Sequence, residues 1–542
     1  MRPARRLILA VLAAASVVLA GCSFIPDPPA PTSSATPDVS GVDEELVPFY
    51  GQELDWEACG TFECTSVRAP LDWENPGTGD IQLSVIRQRA TDGDPVGSLL
   101  TNPGGPGASG VDLIRSSVDF AVGEALQADY DIIGFDPRGV GQSTAVRCYD
   151  AADMDAYLFD IPPGVRGSAE WNADITARNA AYAAACEANS GGILPYITTV
   201  QAARDMDLLR AVLGDEKLNY LGYSYGTFLG ATYADLYPQR VGRLVLDGAI
   251  DPETSELDVA TTQGVGFESA LRAYMADCLT KDACPFAGTV DDGMADLGVL
   301  MASVDRRPLP NADGRQFGAD ALLTSIVSAL YAESSWPYLT SALTGVLQGD
   351  PSTAFQLADF YYSRSNGQYS DNSTDAFAAY NCMDYPADIT PEQQAAADAL
   401  LAEKAPTVAP YWSSDVDGCA AGPRPPRAPA AHSPPTAPRR SSSSARPTTR
   451  RRRTSGPSRW RISCPRACSS PAWGRGTPAT TRATRAWTPP WRRTSSTAPC
   501  RRTGCAASDD ARRRPGPAAG SRGSPRTCRI DDRATRERGA PP

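Results

Sequence analysis

The 542-residue chain contains a single histidine, His432, in a segment of Pro, Ala and Ser with no strand pattern before it. A hydrolase that activates a serine with an imidazole therefore lacks its base in the chain as written. Lysine is absent from residues 423–542, and so are Leu, Val, Phe, Tyr and Met. A segment without those apolar residues can neither build a core nor add strands to a sheet, so the tail is expected to be disordered. The cysteines show no zinc-type spacing, and no metal or organic cofactor is implied. The N-terminal apolar run, residues 7–19, is shorter than the ~20 residues of a comfortable membrane span.

What surrounds that run is informative. Arg2, Arg5 and Arg6 precede it, and Leu19-Ala20-Gly21-Cys22 follows it. The pattern resembles a bacterial lipoprotein export signal over residues 1–22, with cleavage before Cys22 and lipidation of its thiol. The body is then expected outside the cytoplasmic membrane, anchored to it through Cys22. Residues 23–43, rich in Pro, Ser, Thr and Ala, read as a flexible tether. Between residue 44 and Cys419 lie eight cysteines, an even number that points to disulfides in an exported chain. Cys59 with Cys64 and Cys278 with Cys284 look local; Cys148 with Cys186 and Cys382 with Cys419 are expected for the rest.

The body, residues 44–251, alternates strand and helix patterns, as a doubly wound, mostly parallel α/β sheet requires. Strands are expected at residues 81–88, 97–101 and 130–135, the last followed by a loop in which Arg138 can pair with a carboxylate or face solvent. Residues 199–213 have apolar positions at helical spacing, with Arg204, Asp205 and Asp207 on other faces. At residues 218–227 a short apolar strand meets a helix through Gly222-Tyr223-Ser224-Tyr225-Gly226. This G-x-S-x-G elbow makes Ser224 the candidate nucleophile, because a sharp strand-to-helix turn exposes the hydroxyl and needs glycine on either side. The helix N-terminus offers the Tyr225 N–H to a developing oxyanion. The turn Asn102-Pro103-Gly104-Gly105-Pro106-Gly107 after the second strand can supply the other half of such a hole. A buried strand is expected at residues 243–248, and Asp247 or Asp251 near its end is more simply a turn cap than a triad acid. Residues 252–407 turn to amphipathic helices, expected to form a cap, with aromatic clusters at 336–338 and 360–362 that suit a cap core better than substrate subsites. Residues 408–422 return toward the core.

Together, residues 102–107, 134–143, 199–214 and 222–252 resemble the secreted tripeptidyl aminopeptidases of actinobacteria, in the prolyl-aminopeptidase-like branch of the α/β-hydrolases. The resemblance covers residues 46–419. It implies an α/β-hydrolase core with a helical cap, an acyl-enzyme on Ser224, and oxyanion N–H groups from Gly105 and Tyr225. Its substrates are short peptides cleaved from free N-termini. An esterase on the same fold, or a non-catalytic peptide-binding lipoprotein, are the alternatives.

The resemblance stops after Cys419, before the acid and histidine that follow the cap in this fold. Residues 423–542 hold 28 arginines against five acids, a formal charge of +23 after a body of −35. A basic arm could bind nucleic acid or anionic lipid, but the export signal argues against nucleic acid as a partner. A solvated low-complexity tail is the blander alternative. A frame-shifted translation accounts for more. Joining the last base of each codon to the first two of the next, from the Arg440–Ser441 junction, permits a string close to I-L-V-V-G-T-T-D-D-P-A-T-P-Y-E-W-A-E-S-L-A-D-Q-L. S-G-V-L and R-V-G-E-G-H-T follow, up to the codons of Gly476 and Thr477. A strand, an Asp loop, a helix, a strand and a histidine turn then appear in the order the fold needs. A frameshift near residues 420–422 is expected, and with it a chain that as written lacks its catalytic Asp and His and is inactive.

Overall fold

The computed structural model describes residues 39–385 and 389–412. Its centre is a seven-stranded sheet of β1 (Glu57–Cys59), β2 (Phe62–Pro70), β3 (Asp80–Gln88), β4 (Ser98–Asn102), β5 (Asp131–Phe135), β6 (Leu218–Tyr223) and β7 (Val241–Asp247). The spatial order is β1-β2-β3-β5-β4-β6-β7. The first three strands pair antiparallel and lead antiparallel into β5; β5, β4, β6 and β7 run parallel.

Parallel strands with helices on both faces read as unbroken apolar runs, and β4 and β5 do. Leu99 and Ile132 face the helix Gly110–Ala121, in a cluster with Val111 and Ile114. Leu100, Ile133 and Phe135 face the other way, into a cluster shared with the helices Thr199–Val212 and Tyr225–Leu236. Full burial of each such side chain contributes about 1.5–3 kcal/mol, which fixes the register of these strands. The chain leaves β4 toward β5 on one side and reaches β6 on the other. At such a reversal of winding direction, the loops at the carboxyl ends of the strands open a crevice.

Beyond β7 the helices Glu256–Cys278, Val290–Arg306, Ala319–Leu330, Trp336–Leu347, Ser352–Tyr361 and Pro391–Lys404 assemble a second core around Leu271, Tyr274, Leu297, Leu322, Leu339 and Phe355. The helix Ser373–Asp384 behaves differently: its Ala376 and Tyr380 join the sheet-side cluster. Of the aromatic clusters, Tyr362 packs edge-on against Phe159 and Trp336 against Tyr274, whereas Tyr338, Phe360 and Tyr361 stay exposed.

Disulfides join Cys59 to Cys64, Cys148 to Cys186 and Cys278 to Cys284, as expected from the sequence, and fit an oxidising compartment. Cys382 is disulfide-bonded as well; its expected partner Cys419 lies outside the described residues. So do Cys22, His432 and the arginine-rich tail. No described helix is long and apolar enough to cross a membrane.

One expectation fails. The strand read as buried at residues 243–248 is the exposed sheet edge: Arg243, Val245 and Asp247 face solvent, with Val245 at 55 % exposure. Among the described residues only β6 pairs with β7. Its leucines alternate with residues that face solvent, a pattern that says which face is covered and not whether a strand lies on each side.

Candidate active site

β6 ends at Tyr223 and the next helix begins at Tyr225, so Ser224 alone makes the turn, at φ 53° and ψ −122°. A non-glycine residue in that left-handed region costs about 1–3 kcal/mol and persists only where its surroundings impose it. Here they do. The Ser224 N–H donates to the Asp247 carbonyl at 2.9 Å, and the Ser224 carbonyl accepts from Thr227 N at 2.8 Å and from the Thr227 hydroxyl at 2.6 Å. That hydroxyl accepts in turn from Ile250 N at 2.9 Å, tying the elbow to the segment after β7. The flanking glycines are needed for contact distance. A Cβ on Gly222 would lie 2.4 Å from the Gly226 carbonyl oxygen, and one on Gly226 would lie 2.9 Å from the Asn102 carbonyl oxygen. Ser224 itself is exposed.

The glycine-rich turn after β4 lies against the elbow. Gly104 and Gly105 have φ of 98° and 109°. A Cβ on Gly104 would fall 2.5 Å from the Tyr223 carbonyl oxygen and 3.1 Å from Tyr225 N, so backbone reaches where no side chain fits. The Asn102 side-chain oxygen accepts from Gly104 N at 2.9 Å, which occupies that donor. The next N–H, that of Gly105, has no hydrogen-bond acceptor among the described residues. Tyr225 N is the first amide of its helix, one of the donors that helical geometry leaves without an intrahelical partner. The structure thus gathers Ser224, Gly105 and Tyr225 at the carboxyl ends of β4 and β6.

Beneath the elbow runs a polar chain that the sequence did not disclose. The Tyr225 hydroxyl meets the Thr199 hydroxyl at 2.5 Å, and Thr199 donates to Asp384 through Oγ1 at 2.6 Å and through its backbone N–H at 2.8 Å. Burial pushes the Asp384 carboxyl up to about 7, against the two Thr199 hydrogen bonds that favour its ionised form. Asp384 ends a helix 185 positions from Thr199, so no local spacing signals the pair. Asp136 organises the loop after β5. It accepts from the Ser109 hydroxyl at 2.5 Å, Val111 N at 3.1 Å and Gln142 N at 2.9 Å, and burial raises its pKa.

Arg138, for which the sequence left two environments open, is fully buried. Its guanidinium forks onto Asp205 at 2.8 and 2.7 Å and donates to the Leu71 and Pro70 carbonyls. Asp251 caps a turn through Glu253 N at 3.0 Å. Asp247 contributes its carbonyl to the elbow while its side chain faces solvent. No described residue is a histidine, and no three His, Cys, Asp or Glu side chains among the described residues gather in a way that could hold a metal ion.

Residues 97–290 match the alpha/beta hydrolase fold family. Serine protease Hip1 of Mycobacterium tuberculosis is 35% identical over 403 residues, covering 70% of this chain and 74% of that protein. A carboxylesterase B of the same species is 35% identical over 393 residues, covering 69% of this chain and 75% of its own. The tripeptidyl aminopeptidase of Streptomyces coelicolor is 32% identical over 346 residues, covering 61% of this chain and 63% of its own. These relatives support a hydrolase or peptidase activity on the sheet and elbow described above. With the elbow, the glycine turn and the parallel sheet on one side and these identities on the other, the chain belongs to the α/β-hydrolase family, in the branch that includes the actinobacterial tripeptidyl aminopeptidases.

Proposed function

We propose that this chain carries the scaffold of an exported serine aminopeptidase that releases tripeptides from free N-termini through an acyl-enzyme on Ser224. The observation that carries the proposal is the left-handed Ser224 at the head of its helix, with Gly104 of the glycine turn packed against Ser224 and Tyr225 N. Ser224 Oγ attacks the scissile carbonyl carbon and gives up its proton to a base. The oxygen turns into an oxyanion facing the two N–H groups. The C–N bond then breaks, the downstream peptide leaves as an amine after taking that proton, and water hydrolyses the ester to free the N-terminal fragment. The helical layer over the carboxyl ends of the strands limits access to a chain end, and Cys22 anchors the protein to the membrane through lipid.

The base and its orienting acid belong, in this proposal, to the alternative reading frame, the histidine at the codons of Gly476 and Thr477 and the acid near those of Thr448 and Thr449. Without them, oxyanion stabilisation and binding alone leave about 10³ to 10⁴ over water, far below a working enzyme. The chain as written is therefore proposed to be inactive.

The experiment compares the chain as written with one whose frame is restored near residues 420–422. Both are assayed on a tripeptidyl amide reporter and labelled with a fluorophosphonate. Expected is turnover and labelling of Ser224 in the restored chain only, both lost in its Ser224→Ala variant. Turnover by the chain as written, or a restored chain that cleaves no such reporter, overturns the proposal. The 35% identity to a carboxylesterase favours one second activity, ester hydrolysis at the same serine. A restored chain that hydrolyses ester reporters while leaving peptide reporters intact would select it.

A further inference from the structure

β7 offers a surface that no step of peptide hydrolysis uses. In a parallel strand each residue turns its N–H and C=O to the same side, and successive residues alternate. The Asp247 carbonyl accepts from Ser224 N, and Arg243 N donates to the Asn219 side chain at 3.2 Å, so Arg243, Val245 and Asp247 direct their backbone toward β6. Leu244 and Leu246 therefore direct theirs outward, along an edge that pairs with no described strand. The side chains divide the same way. A Cβ on Gly230 would lie 2.7 Å from a Leu246 methyl, which puts Leu246 under the elbow helix, and Arg243, Val245 and Asp247 stand exposed on the opposite face. Neither proline nor lysine interrupts β7, although these are the usual guards of a bare edge.

We propose that two copies of this chain pair along this edge, β7 against β7, antiparallel, with Val245 on the two-fold axis. The occupant is specified by the strand itself. Edge pairing requires that residues with outward backbone groups oppose one another, which allows only registers that differ by two residues. With Val245 opposite Val245, Leu244 and Leu246 exchange backbone hydrogen bonds across the axis. Arg243 then faces the partner's Asp247, and Asp247 faces the partner's Arg243. The neighbouring registers instead set Arg243 against Val245, or Val245 against Asp247, and leave the charges unmatched. Cross-strand pairs whose backbones do not bond each other bring side chains closest, so the charge match acts where the strands are tightest. The isologous contact closes on itself and stops at a dimer.

The test is sedimentation of the full chain in density-matched detergent over a wide concentration range, with Arg243→Asp, Asp247→Arg and the combined exchange. A reversible dimer is expected. Each single reversal places like charges opposite one another at both symmetry-related positions and should weaken the dimer about tenfold. The combined exchange restores the match and should recover the original affinity. The substituted residues are exposed, and far-UV circular dichroism checks that each variant is folded. A monomer at every concentration overturns the proposal, whether the edge is bare or covered by the chain's own residues 413–542. A dimer indifferent to the single reversals, or one that the combined exchange fails to rescue, overturns it equally.

Discussion

Asp384 allows a quantitative test of the polar chain beneath the elbow. Its carboxyl is pushed up to about 7 by burial, whereas in an unfolded chain it titrates near 3.9. Below about pH 4 both states hold the proton and the folded state keeps its full advantage. As pH rises toward about 7 the unfolded chain releases the proton while the folded one retains it, so stability falls through that window and levels off above it. Each pH step costs about 1.4 kcal/mol, or about 4 kcal/mol across the window. This is an upper bound, because the residue keeps partial exposure and solvent screens it. Asp384→Asn removes the ionisation and, with one acceptor oxygen, keeps one of the two Thr199 hydrogen bonds, a loss of about 1 kcal/mol. The variant should therefore match the parent near pH 4.5 and exceed it at pH 8 by about 1–3 kcal/mol. Urea denaturation at a series of pH values measures both curves. If the two run parallel from pH 4.5 to pH 8, Asp384 is ionised in the fold throughout and the account of its burial is wrong.

Two further expectations concern stability. The Cys148–Cys186 bridge closes 38 positions and the Cys59–Cys64 bridge five, so loop-closure entropy assigns them about 4 and about 2 kcal/mol. Replacing each pair by alanine should lower the urea midpoint in that order, and the reverse order would contradict the entropic account. Arg138→Met leaves Asp205 buried without its cation and should cost about 3–5 kcal/mol, with only part of that recovered when Asp205→Leu is added, because the buried Trp73 indole N–H then loses its acceptor, a double-mutant cycle that denaturation can close.

Much of this fold was readable because its signals are local. β3, β4 and β5 fall within a residue of the spans read from periodicity, since apolar runs between turn residues encode strands directly. The Ser224 turn and the glycine turn after β4 were readable because only glycine tolerates the approach distances found there. Asp205 and Asp207 were placed on faces other than the apolar one, yet both are fully buried. Asp207 takes the Tyr50 hydroxyl at 2.9 Å, Arg210 at 2.9 Å and Arg240 as well. Helical spacing assigns charge to solvent, and only partners brought in by tertiary packing reverse that assignment. Asp384 escaped for the same reason.

β7 shows what strand periodicity leaves undetermined. Its leucines alternate with Arg243, Val245 and Asp247, and the leucine face is covered by the elbow helix. Alternation of this kind predicts which face is covered and is silent on how many edges are paired, because backbone hydrogen bonds lie in the plane of the sheet, at right angles to the side chains. Exposure of Val245 is therefore a statement about what lies beside and over the strand. The outward N–H and C=O groups of Leu244 and Leu246 are left to water unless another strand comes to them. The alternative frame holds an I-L-V-V run that could lie along that edge in the same molecule, and a second β7 meets the requirement in the chain as written. The two occupants exclude each other, since one edge accepts one strand. Restoring the frame should thus convert the dimer to a monomer, and a restored chain that still pairs through Arg243 and Asp247 would show that the added strands lie elsewhere.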